Sequence, residues 1–169
     1  DQILPSHASM VHGELGGKPV EIASQSGSCA TGMHAMKFAY LAVKAGERKN
    51  AVCTGSELFS TFMLARNFEK ETEHLHLIAE NPILAFEKDF LRWMLSDGAG
   101  AALLTDEPNR DSISLKIDWI ETTSYANQLE TCMYAGGEKL PDLKFKGWRE
   151  FEAQELLDRS VFALRQDVK

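Results

Sequence analysis

Val20-Glu21-Ile22-Ala23-Ser24-Gln25-Ser26-Gly27-Ser28-Cys29-Ala30-Thr31-Gly32-Met33 decides how the fold is read, because a short strand there gives way to a long apolar helix. Residues 19–24 read as the strand and 30–45 as the helix, with Gly46 placed to end it. Between them the small residues Ser26-Gly27-Ser28 let the backbone turn sharply and leave Cys29 in the first helical turn. Unpaired N–H groups at a helix start carry partial positive charge, which favours thiolate over thiol. The thiolate is the nucleophilic form, so Cys29 reads as a covalent acyl carrier.

Working outward, residues 51–54 (Ala-Val-Cys-Thr) form a near-continuous apolar run, as expected of a strand buried on both faces. Strand, helix, strand within this distance is a βαβ unit, which predicts parallel strands with a right-handed crossover. Nucleophiles on such units sit at the carboxyl end of a strand, where Cys29 falls. The helix is apolar almost all round, with His34, Lys37 and Lys44 on one narrow stripe, so burial on most sides is expected.

Upstream, Pro5-Ser6 suits a helix start and Gly16-Gly17 its end. Downstream, 61–95 reads as two helical pieces broken at Asn81-Pro82. Asp97-Gly98-Ala99-Gly100 is a tight turn whose glycines permit close packing, followed by a buried strand over 101–104. Ile113, Leu115, Ile117 and Trp119 alternate with polar residues, the pattern of a strand with one buried face. Residues 125–147 read as an irregular loop, and Trp148, Phe151, Leu157, Val161, Leu164 and Val168 as a last amphipathic helix. The best internal boundary is the Pro-, Asn- and charge-rich 107–111.

Composition narrows the function classes. With 169 residues, 44% apolar and 25% charged, the chain is long enough for a sizeable core. A net charge of −7 without a basic stripe argues against nucleic acid as a partner. No apolar run reaches membrane-spanning length, and three cysteines at unrelated spacings make no disulfide framework, which fits a reduced cytoplasmic setting. The chain starts at Asp1 without a methionine and stops in a helical-looking run, so both ends read as cut.

Three segments together resemble the condensing enzymes of the thiolase fold, most closely the β-ketoacyl-acyl-carrier-protein synthase III family. Gly27-Ser28-Cys29-Ala30-Thr31-Gly32-Met33 looks like the nucleophile turn of that family, and Ala51-Val52-Cys53-Thr54-Gly55-Ser56-Glu57 is similar to the strand after the nucleophile helix. Ser96-Asp97-Gly98-Ala99-Gly100-Ala101-Ala102-Leu103-Leu104 matches the family's Asp-Gly-Ala-Gly-Ala segment. The resemblance covers roughly residues 1–110. It implies an α/β fold of layered αβαβα architecture, of which this chain holds the central part only. Residues 1–108 would be the remainder of an N-terminal thiolase-like half carrying the nucleophile, and 109–169 the start of the C-terminal half. Residues 87–95 look like relatives that build aryl and alkylresorcinol lipids.

The activity implied is acyl transfer in fatty-acid or polyketide synthesis. Cys29 takes an acyl group from an acyl-CoA or acyl-carrier-protein thioester, for decarboxylative condensation with malonyl-acyl-carrier-protein. A homodimer without metal or organic cofactor is implied. The family's catalytic His and Asn lie in the second half, and none of His7, His12, His34, His74 and His76 stands in that place. Only Cys29 carries over as catalytic, so the chain alone is expected to be acylated but not to condense. Two other functions compete: a non-catalytic scaffold or dimerisation piece, and a cysteine acyltransferase or thioesterase that does not condense.

Other candidates read more plainly. Cys53 belongs to a core strand and Cys132 to a polar loop. His34, five residues past Cys29, suits a polar position between layers. His74 and His76 lack a carboxylate or cysteine set with metal-ligand spacing. Asp97 suits a turn residue that accepts backbone N–H groups. Lys139, Lys144, Lys146 and Arg149, interspersed with Glu138, Asp142 and Glu150, form a solvated face before they form a docking patch for an acidic carrier. Met33, Met36, Phe38, Phe59, Phe62 and Met63 suit core packing before an acyl tunnel.

Overall fold

Ser6 starts the first helix as its sequence predicts. Its hydroxyl accepts the Ser9 N–H at 3.3 Å and caps α1 (His7–Leu15). Gly16, at φ 65°, ends that helix in a left-handed conformation that suits glycine. The computed structural model describes residues 4–61, 63–66, 69, 75–80, 82, 93–142, 144–159, 161–162 and 164–166. They divide into two compact units, Asp1–Thr122 and Thr123–Lys169. The architecture is mixed α/β, with helices and small antiparallel sheets. Among the described residues no helix is long and apolar enough to cross a membrane.

In the first unit, α2 (Thr31–Lys44) follows a single 3-10 turn, Ser28–Ala30. Gly46, at φ 76°, turns the chain after the helix and donates its N–H to the Val43 carbonyl at 3.0 Å. β1 (Asn50–Glu57) and β2 (Gly98–Thr105) pair antiparallel without a bulge, with Cys53 opposite Ala102 and Gly55 opposite Gly100. α3 (Leu75–Glu80) lies between them in the chain. It falls within the 61–95 stretch read as two helical pieces; Asn81 and residues 83–92 lie outside the described residues.

The core of this unit is small. Ala39, Cys53 and Leu104 are buried, and Ala35, Met36, Tyr40, Val43, Ala51, Ala102 and Ile117 pack around them. Positions 35, 36, 39, 40 and 43 form one helical stripe, which lies on the face of the sheet that carries Cys53 and Leu104. This corrects two expectations. α2 buries one stripe and not most of its surface, and β1 is buried on one face. On its other face Val52 is 62% exposed and its cross-strand partner Leu103 is 66% exposed. An apolar run reads the same whether one face or two are covered, so only packing distinguishes the cases.

The expected strand over 19–24 forms no ladder. Among the described residues, no hydrogen bond involves the backbone of 19–26, and β1 takes β2 as its neighbour instead. The parallel βαβ pairing is therefore replaced by an antiparallel pair. Likewise 113–119 is not a strand: Ile117 reaches the core, whereas Ile113 and Leu115 are 90% and 87% exposed. Alternation supplies a face, but a strand also needs a partner for its peptide groups.

The second unit holds β3 (Met133–Tyr134), β4 (Gly137–Lys139), β5 (Phe145–Gly147), α4 (Ala153–Asp158) and β6 (Arg165–Gln166). β4 pairs with β5 and β3 with β6, both antiparallel, so the expected loop over 125–147 contains three short strands. The single last helix read from 148 to 168 is also corrected. It resolves into a 3-10 turn (Trp148–Glu150), α4 and β6, with Val168 outside the described residues. Val161 N–H bonds the Leu156 carbonyl at 3.0 Å, and the Val161 carbonyl accepts the Gly136 N–H at 3.0 Å. That placement leaves Val161 only 1% exposed. Tyr134 and Phe145 meet edge to face, with ring centroids 5.1 Å apart.

Candidate functional site

Cys29 is exposed, on the 3-10 turn that leads into α2. Ala30 N–H bonds the Gly27 carbonyl at 3.1 Å and Thr31 N–H bonds the Ser28 carbonyl, closing the turn around the cysteine. The Cys29 N–H has no hydrogen-bond partner among the described residues. A thiol and a free amide donor thus sit on one residue at the start of a fourteen-residue helix.

The turn is tightly specified. Ser28 holds φ 51°, a left-handed conformation that costs a residue with a side chain about 1 kcal/mol. Gly27 lies under the His34 ring, so closely that a Cβ there would be 2.7 Å from Nδ1 and 2.9 Å from Cε1. His34 therefore packs on the turn that carries Cys29. Sequence reading placed it between layers; its spacing of seven from Gly27 carried no signal for this contact.

Cys29 and Ser28 are among the residues that line an open cleft of about 1700 Å³. The extended segment 20–26 and the whole of β1 line that cleft, and α2 contributes Ala35, Phe38 and Ala39. α1 contacts both segments: the Ala8 N–H bonds Ser24 Oγ and His7 Nε2 meets Ser56 Oγ, each at 3.3 Å. Glu21, in the extended segment, forms an ion pair with Arg48, just before β1. These contacts span 16 to 49 residues of sequence, so no local motif announces them.

The remaining candidates separate from Cys29. Cys53 is buried in the core, where its Sγ lies 3.6 Å from the Ala102 carbonyl. Asp97 accepts the Ser60 N–H at 2.7 Å. Hydrogen bonds from the Ser60 side chain and backbone, with a smaller one from Phe59, hold its carboxyl below the usual range. A Cβ at Gly98 or Gly100 would meet nothing within 4 Å, so these glycines are not packed against any described residue as had been expected. Met36 packs against the core and Phe38 lines the cleft, whereas Phe62 lies outside the described residues.

Cys132 is exposed in the second unit. Lys139 pairs with Glu130 and Lys144 with Asp142, at 3.1 and 2.9 Å, and Lys146 lies 3.9 Å from the Phe151 ring centroid. Arg149 stacks near Trp148. Their charges are engaged locally, as on a solvated face. His74 lies outside the described residues, and among the described ones no group of three or more His, Cys, Asp and Glu is arranged to hold a metal ion. Comparison with protein-family models finds no match, and comparison with curated proteins finds none.

Proposed function

We propose that this chain is the acyl-accepting part of a β-ketoacyl-acyl-carrier-protein synthase III-like acyltransferase with a layered thiolase-type architecture. The observation that carries the reading is an exposed Cys29 whose own N–H is unpartnered among the described residues, at the start of α2 and in the lining of an open cleft. The motif order around Cys29, 51–57 and 96–104 supports the same class.

In this reading the Cys29 thiolate attacks the carbonyl carbon of an acyl-CoA or acyl-carrier thioester. A new carbon–sulfur bond forms, the donor's carbon–sulfur bond breaks, and the donor leaves as a thiolate that takes a proton from water, balancing the one Cys29 released. Negative charge develops on the carbonyl oxygen in between, and the Cys29 N–H is the donor this turn offers it. Condensation with malonyl-acyl-carrier-protein also requires a His and an Asn to polarise the malonyl carbonyl. Only Cys29 matches the family's catalytic set, so the chain alone stops at the acyl-enzyme.

Intact-mass measurement after incubation with a short acyl-CoA tests this. The expected result is one acyl adduct, mapped to Cys29, stable over an hour and absent from Cys29→Ala. Rapid loss of the adduct as free acid supports a thioesterase, and no adduct supports a scaffold. Either outcome removes the synthase reading, whereas turnover to a β-ketoacyl product by this chain alone would keep that reading and overturn the view that the chain stops at the acyl-enzyme.

A further inference from the structure

The turn that carries Cys29 is held from inside and from outside. Inside, the Ala30 N–H bonds the Gly27 carbonyl and the Thr31 N–H bonds the Ser28 carbonyl. Outside, the edge of the His34 ring covers Gly27, with Nδ1 and Cε1 at 2.7 and 2.9 Å from where a Cβ would stand. His34 is the fourth residue of α2, and helical side chains lean back toward the N-terminus of their helix, which carries this ring over the preceding turn. No polar contact accounts for a histidine there: among the described residues neither ring nitrogen has a hydrogen-bond partner. What the partly buried ring supplies to the turn is shape.

That shape bears on the one backbone donor the turn leaves free. The Cys29 N–H belongs to the planar Ser28–Cys29 peptide, and Ser28 holds φ 51°, which a residue with a side chain keeps only where its surroundings enforce it. A tilt of that peptide plane turns the N–H while the Cys29 Cα and side chain stay in place. The ring packed on Gly27 blocks the space into which the turn would relax. Aim of the amide therefore depends on His34, whereas exposure of the thiol does not.

We propose that His34 is a positioning residue for acyl transfer at Cys29: its ring, seated on Gly27, holds the Ser28–Cys29 peptide so that the Cys29 N–H faces the oxyanion as it forms. The role rests on the acyl-enzyme reading and adds to it a residue that acts through the backbone, by packing and not by moving a proton.

Two reactions of the same sulfur separate aim from reactivity. Acylation by acetyl-CoA builds negative charge on a carbonyl oxygen and uses the N–H, whereas alkylation by iodoacetamide displaces iodide from a saturated carbon and builds none. Both rates are measured at Cys29 by peptide mass in the full chain, for the parent, His34→Ala and His34→Phe. His34→Ala is expected to acylate about tenfold more slowly, less than the roughly hundredfold cost of losing an oxyanion donor outright, and to alkylate within about twofold of the parent. His34→Phe keeps a flat ring edge over Gly27 but carries no proton, and should acylate within about threefold of the parent. Equal acylation of parent and His34→Ala overturns the proposal. So does a parallel loss in both reactions, or alkylation of the buried Cys53 in His34→Ala, which would make the ring part of the general packing. His34→Phe as slow as His34→Ala also overturns it, by assigning the effect to the imidazole proton. No acyl adduct on the parent removes the acyl-enzyme reading and the role of His34 with it; an adduct on the parent with any of the other contrary results removes the role of His34 alone.

Discussion

The His34 ring lies over Gly27 so closely that a Cβ on the glycine would come within 2.7 Å of Nδ1. One helical side chain therefore sets which residue the turn before Cys29 accepts. Gly27→Ala must push the ring aside and is expected to destabilise the chain by about 1–2 kcal/mol. Adding His34→Ala should recover at least half of that loss in urea unfolding. Equal losses in the single and double variants would show that the ring is not the obstacle.

Thiol labelling should sort the three cysteines by burial. Cys29 and Cys132 are exposed, whereas Cys53 sits in the core beside the Ala102 carbonyl. Iodoacetamide is expected to modify Cys29 and Cys132 in the folded chain and Cys53 only after denaturation. Peptide mapping of a time course checks the order, and early modification of Cys53 would contradict the packing of α2 on β1.

Asp97 makes a pH-dependent contribution. Hydrogen bonds from Ser60 lower its folded value below the 3.8 of a free carboxyl. A group depressed in this way stabilises the fold above its unfolded value and loses that contribution as pH falls through the lower, folded one. Asp97→Asn should therefore be less stable than the parent at pH 6, with the gap narrowing below pH 4, on the order of the free carboxylate range. A gap that is constant with pH, read by denaturant unfolding, would assign the loss to geometry and not to ionisation.

Val161 is the one side chain among the described residues that is fully buried. Val161→Ala removes two methyl groups from the centre of the second unit and should cost about 2 kcal/mol. Near-UV circular dichroism of Trp148 and Tyr134 should melt at lower temperature, and an unchanged melt would mean that the site collapses without loss.

Much of the local structure was legible in the residues. Ser6 and Gly16 bound α1, and α2 runs between the Ser26-Gly27-Ser28 turn and Gly46. Both strands of the first sheet cover their apolar runs, 51–54 and 101–104, but β2 starts at Gly98, so 98–100 is strand and not the tight turn expected there. Cys29 stands at the turn where its neighbours put it. Caps, glycine turns and short apolar runs act within a few residues, so a linear reading captures them.

Partner choice was not legible. Residues 19–24 and 113–119 carry strand patterns yet pair with nothing described, whereas Met133 and Arg165 lie on two-residue strands that no pattern marked. The cleft beside Cys29, the Glu21–Arg48 pair and the His34 contact with Gly27 likewise appear only in three dimensions. Sequence alone determined where the chain bends, coils and extends, and which thiol stands at a helix start. Tertiary structure decided which edge met which, which faces lost water and which stayed bare, because hydrogen-bond pairing and burial depend on groups far apart in the chain.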